Sequence, residues 1–271
     1  MKRYRHYKKD KAIILSCFGS VIEEDKYLAL KKVVEDKFPN CDIFLSFSSR
    51  MVLKELNANG QKFKNLPQVL ADVDMLGYKN IIVSSINIFP TDEHQVLKDT
   101  VKGFNNFSLA NIRYTKAILT TSKDTTLFLK ELDNAVSKDD IANLYIIHGT
   151  PKLELGGLAS IDYAAKFLEY IKDTNFTCSL EGALPYFAIK EQLIEKIKQK
   201  AISDIQIIPM LLVSGNHYIN DMVEIKDELS DNFNSSITPS LTQSDKFNLI
   251  ELPKTVDIIL KNIEEEIIKL G

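Results

Sequence analysis

Two histidines and one glutamate stand out in this chain for where they fall. His148 ends the apolar run 143–147, Glu181 follows 176–180, and His217 comes after 205–213 and the break Ser214-Gly215-Asn216. Each follows an unbroken hydrophobic segment of strand length and stands in or beside a glycine-containing turn. Buried parallel strands read as such segments, and open α/β sheets hold their ligands at the carboxyl ends. Parallel strands side by side bring those ends together, so residues distant in sequence become neighbours. Two imidazoles and one carboxylate suit a borderline divalent cation: Co²⁺, Zn²⁺, Ni²⁺ or Fe²⁺. For each residue alone, a hydrogen-bonded loop side chain is the simpler account. The joint reading rests on three equivalent positions in a chain with four histidines.

The elements needed to position them follow from the hydrophobic pattern. Strands are expected at 11–18, 41–46, 80–89 and 112–119, with helices at 23–37, 51–56, 66–75, 96–104 and 125–136 between or after them. The pattern then restarts, with strands at 143–147, 176–180 and 205–213 and helices at 161–171, 191–200 and 257–270. Strands alternating with helices of this length indicate βαβ units and a mostly parallel sheet. Phe18-Gly19 answers His148-Gly149, the turn after Leu45 answers Glu181-Gly182, and the stretch from Ile88 to Glu93 answers that from Leu212 to His217. The chain therefore reads as an internal duplication of a unit of about 125 residues. The fold class is α/β, with two similar domains at 1–137 and 138–271, the second carrying the metal site. The closing helix is free to pack across onto the first. Two such domains are expected to face each other over a ligand cleft lined by strand ends.

Bulk properties exclude several function classes. A hydrophobic content of 45%, a charged content of 26% and a net charge of -3 are those of an ordinary globular chain, without the basic stripe of a nucleic-acid binder. The basic start (Lys2, Arg3, Arg5, Lys8, Lys9, Lys11) is a short, solvated tail, and the apolar run after it is too short for an export signal. No run approaches the roughly 20 apolar residues of a membrane span. Cys17, Cys41 and Cys178 are odd in number and widely spaced, as buried thiols of a reducing compartment are. A cytoplasmic protein is expected, and the sequence leaves a homo-oligomer open.

The motifs around the three residues carry a resemblance. IIHGTP, SLEGALPYF and MLLVSGNHYINDM are similar to the signature segments of the anaerobic cobalt chelatases, the class II chelatases acting on sirohydrochlorin. ILSCFGS, FLSFSSRMVLKEL and INIFPTDEH resemble that family's first three strand ends, so the likeness runs from about Lys11 to Leu270. The chain departs from the family pattern at Ile147, in its longer turn after Glu181, at Asn216 and in having no Trp. The resemblance implies insertion of a divalent metal, Co²⁺ first, with Fe²⁺ and Ni²⁺ as alternatives, into sirohydrochlorin on the anaerobic route to cobalamin. It implies His148, His217 and Glu181 as metal ligands and catalytic groups, and two α/β domains with the tetrapyrrole between them. Metal is then a substrate, and no organic cofactor is expected.

Because sirohydrochlorin is rich in carboxylates, Arg50 is the candidate for a bidentate clamp, its alternative being a surface residue starting a helix. Phe18, Gly19 and Glu93 are further candidates for substrate binding. Glu93 and His94 hold the first-half position of His217 and would form an accessory metal or proton-relay site, a solvated turn being the simpler account. Phe18 and Tyr186 would pack on the macrocycle, or else belong to the core. Other functions compatible with these residues are a ferrochelatase or haem-iron enzyme of the same fold, and a non-catalytic tetrapyrrole or metal carrier. A two-lobed solute receptor fits less well, because it would not need the aligned His and Glu positions.

Overall fold

The computed structural model describes residues 6–154, 156–242 and 244–270; Lys2, Arg3 and Arg5 of the basic tail lie outside them. The chain forms two compact units, Met1–Ile118 with Val256–Gly271, and Leu119–Thr255.

The first unit is built on four parallel strands in the order β2-β1-β3-β4: β1 (Lys9–Cys17), β2 (Asp42–Phe47), β3 (Tyr78–Ile86) and β4 (Asn111–Tyr114). The last six residues of β1 are all buried, which explains why AIILSC carries no alternation: a central parallel strand is covered on both faces. Helices α1 (Asp25–Lys37), α2 (Arg50–Ala58), α3 (Leu66–Met75) and α4 (Asp92–Asn105) make the crossovers. Their starts are written in the sequence. Ser49 caps α2 by accepting from Val52 N, and Asn65 forms a reciprocal capping box with Gln68 at α3.

The second unit repeats the plan. Helix α5 (Ser122–Val136) leads into β5 (Ala142–Gly149), followed by α6 (Leu158–Ile171), β6 (Asn175–Glu181), α7 (Tyr186–Gln199), β7 (Asp204–Met210), α8 (Val223–Ser230) and β8 (Asn234–Ile237). Its sheet is again all parallel, in the order β6-β5-β7-β8. Identical strand order in both units is what a duplicated sequence pattern requires. Alternate residues of β5 (Ala142, Leu144, Ile146) join Ile205, Ile207 and Leu193 in one core cluster.

The units divide the chain differently from a cut at 137/138. Helix α5 lies with the second unit, where buried Asp133 accepts from Tyr145 Oη and Asn175 Nδ2, each at 2.7 Å. Helix α9 (Pro253–Ile268) falls mostly in the first unit, where Glu266 takes the Arg113 Nε–H at 2.7 Å. Strand β4 stops at Tyr114, short of the expected 119, and β8 has no apolar signature because NSSI is a half-exposed edge strand. Cys17 and Cys178 are buried thiols raised by that burial, whereas Cys41 is only half-buried. Among the described residues no helix is long and apolar enough to cross a membrane.

Candidate metal centre

Within the second sheet the chain leaves β5 towards β6 on one side and returns as β7 on the other. The gap beyond β5 and β7 is therefore its topological switch point, where sheets of this kind hold ligands. His148 is the penultimate residue of β5, and β7 runs beside it in register, with Ile147 opposite Met210.

Two glycines let the strand ends close up. Gly149 (φ 78°) lies opposite Glu181 in the β5–β6 pairing, and Gly182 has φ 86°. A Cβ on Gly149 would stand 1.9 Å from the Glu181 carbonyl oxygen, and one on Gly182 would stand 2.0 Å from the Thr150 carbonyl oxygen. Each turn thus fits against the other's backbone, and only glycine fits either place. Beyond Gly182 the chain folds back on β6, where Ser179 Oγ donates to Ala183 O at 2.7 Å and Ser179 N to Leu184 O at 3.2 Å. Leu184 takes φ 51° there, a region that side chains larger than Gly or Asn rarely adopt.

His217 is placed by a different device. After β7 the backbone is held by buried Asn248, whose Oδ1 accepts from Ser214 N at 2.6 Å, while Leu249 N and Ile250 N bond Leu211 O and Leu212 O. A π-helical turn follows over Tyr218–Met222, immediately after His217. Such wide turns are uncommon and gather at functional sites.

The outcome is a facing pair of rings. His148 Nε2 and His217 Nε2 are 3.0 Å apart, with the ring planes at 89°. The far nitrogen of each ring has an oxygen that can only accept: His148 Nδ1 donates to Gly149 O at 3.2 Å and His217 Nδ1 to Asp221 Oδ2 at 2.6 Å. Those partners fix the tautomers, putting both protons on Nδ1 and leaving two lone pairs opposed. Two acceptors facing each other at this distance repel unless a proton or a metal ion lies between them. Imidazole nitrogens about 2.0–2.1 Å from one ion lie roughly 2.8 to 3.4 Å apart at angles between square and tetrahedral. Burial first, and the neighbouring His217 second, hold the His148 imidazole below its ordinary pKa, so it is neutral and able to coordinate at neutral pH.

Glu181 stands one strand over, exposed at the end of β6. It shares with His217, Asp221, Glu224 and Glu228 the wall of a cavity of about 390 Å³. Among the described residues no three His, Cys, Asp or Glu side chains are gathered closely enough to hold a metal as they stand. The structure therefore brings two of the three sequence candidates together and sets the third in the adjoining wall. Asp221 and Asn248 were not singled out for these roles. The His-x-x-x-Asp spacing of 217 and 221 was a readable signal for the first, whereas Asn248 has none. A carboxylate behind a ligand imidazole orients it and raises its basicity. Asp221→Asn is accordingly expected to weaken Co²⁺ binding by about 10–100-fold, measurable by calorimetric titration, with unchanged folding by circular dichroism.

The first unit's candidates fall at the carboxyl edge of its own sheet. Phe18 and Gly19 follow β1, Arg50 is the exposed first residue of α2, and Glu93 lies in the first turn of α4. His94 is not on a solvated turn. It is buried, with Nδ1 at 2.8 Å from Ser85 Oγ, and burial brings its pKa down to about 4. Its unfolded value near 6.5 means the unfolded chain binds more protons between those limits. The contribution of neutral His94 is thus complete above pH 6.5 and is lost as pH falls towards 4. The expected loss is about 3 kcal/mol, read from urea unfolding at each pH, and His94→Gln should flatten that slope. Tyr186, expected on the macrocycle or in the core, is in the core cluster of the second unit.

Two parallel α/β halves of one strand order, with opposed imidazoles at the switch point of the second, make up a chelatase fold. Residues 11–266 match the model of the cobalt chelatase (CbiK) family, and the chain belongs to that family. It is 20% identical over 221 residues to the sirohydrochlorin cobaltochelatase of Salmonella typhimurium, covering 78% of this chain and 80% of that protein. Among solved structures it resembles SirB from Bacillus subtilis with Fe³⁺ (TM-score 0.65, 14% identity, 94% of this chain and 95% of that one). It also resembles the sirohydrochlorin chelatase SirB from Bacillus subtilis subspecies spizizenii in complex with cobalt (TM-score 0.63, 13% identity, 94% of each).

Proposed function

We propose that this protein is a chelatase that inserts a divalent cation, Co²⁺ first, into sirohydrochlorin, and that His148, His217 and Glu181 hold the cation before transfer. The observation that carries the reading is the 3.0 Å separation of two Nε2 atoms whose Nδ1 protons are both committed to oxygen acceptors. The likeness to a sirohydrochlorin cobaltochelatase supports the substrate and the metal. Fe²⁺ and Ni²⁺ fit the same donors, since such sites follow availability as much as affinity.

Insertion removes two protons from pyrrole nitrogens and strips ligands from the incoming ion. An imidazole released as the metal passes to the ring has a free Nε2 lone pair to take a pyrrole proton, which is general-base work. Glu181 in the adjoining cavity wall supplies a carboxylate to the ion or to the second proton. Arg50 is proposed to bind a peripheral carboxylate of the substrate, and Phe18, Gly19 and Glu93 to line its path. A cytoplasmic setting belongs to the same reading. The test is an anaerobic incubation of metal-free protein with sirohydrochlorin and Co²⁺, followed by absorbance. Multiple turnovers support it, whereas one equivalent bound without insertion would make the protein a carrier.

A further inference from the structure

A second cavity, of about 460 Å³, lies in the first unit against α4, β4 and α9, and no role assigned above uses it. Its volume is that of a small-molecule site. Its charge is unbalanced. Lys98 and Lys102 reach it from α4, Arg113 and Lys116 from the end of β4, and Lys269 from just beyond α9, against two carboxylates, Glu265 and Glu266. Glu266 is shared, taking Arg113 Nε at 2.7 Å and Lys269 Nζ at 2.6 Å, while Glu265 takes Lys116 Nζ at 3.1 Å. That leaves Lys98 and Lys102, one helical turn apart, with no carboxylate among the lining residues; Lys102 comes no nearer than 3.8 Å to Asp99 on its own helix. An excess of like charge gathered in one concavity favours an anion there.

Asn262 supplies an independent observation. It lines the same cavity, is 3% exposed, and its Oδ1 is buried without a hydrogen-bond partner. A buried acceptor left unmatched is destabilising, and a donor on a ligand would remove that cost. His94, also in the wall, has Nδ1 at 2.8 Å from Ser85 Oγ, which accepts from Asn87 Nδ2 at 2.9 Å.

From these groups we propose that the cavity binds a small hydroxylated polyanion, its anionic oxygens on Lys98, Lys102 and Arg113 and its hydroxyl donating to Asn262. A bare metal ion is disfavoured by the surplus of cations, and an uncharged sugar by the lack of anything to answer the lysines.

The test is calorimetric titration of the metal-free, full-length protein at low salt with citrate, with inorganic phosphate, and with propane-1,2,3-tricarboxylate, which is citrate without its hydroxyl. The expected result is saturable binding of citrate at one site. Removal of the hydroxyl should weaken it by about 10-fold or more, as expected for one hydrogen bond to a buried acceptor. Lys98→Gln with Lys102→Gln, on a partly solvated helix face, should weaken it by a similar factor with unchanged circular dichroism. Absence of saturable citrate binding, or binding indifferent to the two lysines, overturns the proposal. Equal affinity for the tricarboxylate, or phosphate bound as tightly as citrate, overturns the assignment of the hydroxyl to Asn262.

Discussion

Replacing His148 with Ala lowers the rate of Co²⁺ insertion into sirohydrochlorin by about 10²–10⁴-fold, and His217→Ala does the same, the range over which positioned acid–base groups act. Both rings are only partly buried, at strand and helix tips, so neither change opens a cavity in the core. The decisive comparison is the double variant. If the two nitrogens hold one ion, removing the second costs little beyond the first, because residues acting as a unit are not additive. Single variants within about tenfold of the parent, with circular dichroism unchanged, would remove the two imidazoles from the mechanism. Calorimetry on the same proteins separates causes: a lost metal affinity places the effect at loading, and retained affinity places it at proton transfer.

Gly149→Ala and Gly182→Ala are expected to damage the second unit far more than most surface changes. Each methyl would sit about 2 Å from a backbone oxygen, at a positive φ that alanine disfavours. No flexible side chain can give way, since the opposing atoms are main chain. A destabilisation of roughly 3–5 kcal/mol is expected, lowering the melting temperature of that unit by about 10 °C or more. Gly60 and Gly215 serve as controls. Nothing lies within 4 Å of the Cβ position at either, and at Gly215 no positive φ applies. A melting curve for Gly149→Ala that overlays the parent would show that the two turns do not interlock as described.

Much of this was legible in the chain. Fully buried central strands wrote themselves as unbroken apolar runs, and the duplicated order of those runs implied two α/β units. The meeting of His148 and His217 was legible for the same reason, since a polar residue ending an apolar run has few places to be. The edge strand β8 was not, because an edge is half solvated and NSSI has no hydrophobic face to read. Nor was the placing of α5 with the second unit, which depends on where its flank finds partners, such as Asp133 with Tyr145. His94, expected at an accessory site or on a solvated turn, is buried instead. Asp92 and Glu93 mark the first turn of a helix, a favourable place for negative charge, while the next residue turns inward. The orienting contacts of Asp221 and Asn248 depend on a π-helical turn and a loop closure that periodicity does not encode.

The opposed lone pairs have a consequence for charge traffic. With nothing between them, the two nitrogens repel, and the repulsion ends when any positive particle enters, a proton as readily as a dication. In the proposed reaction the macrocycle gains a metal and gives up two protons at the moment that this gap is vacated. One outgoing proton therefore meets an acceptor emptied by the same event, and the carboxylate of Glu181 is there for the other. The low basicity of His148 then favours handing the proton on to solvent at neutral pH, resetting the gap for the next ion.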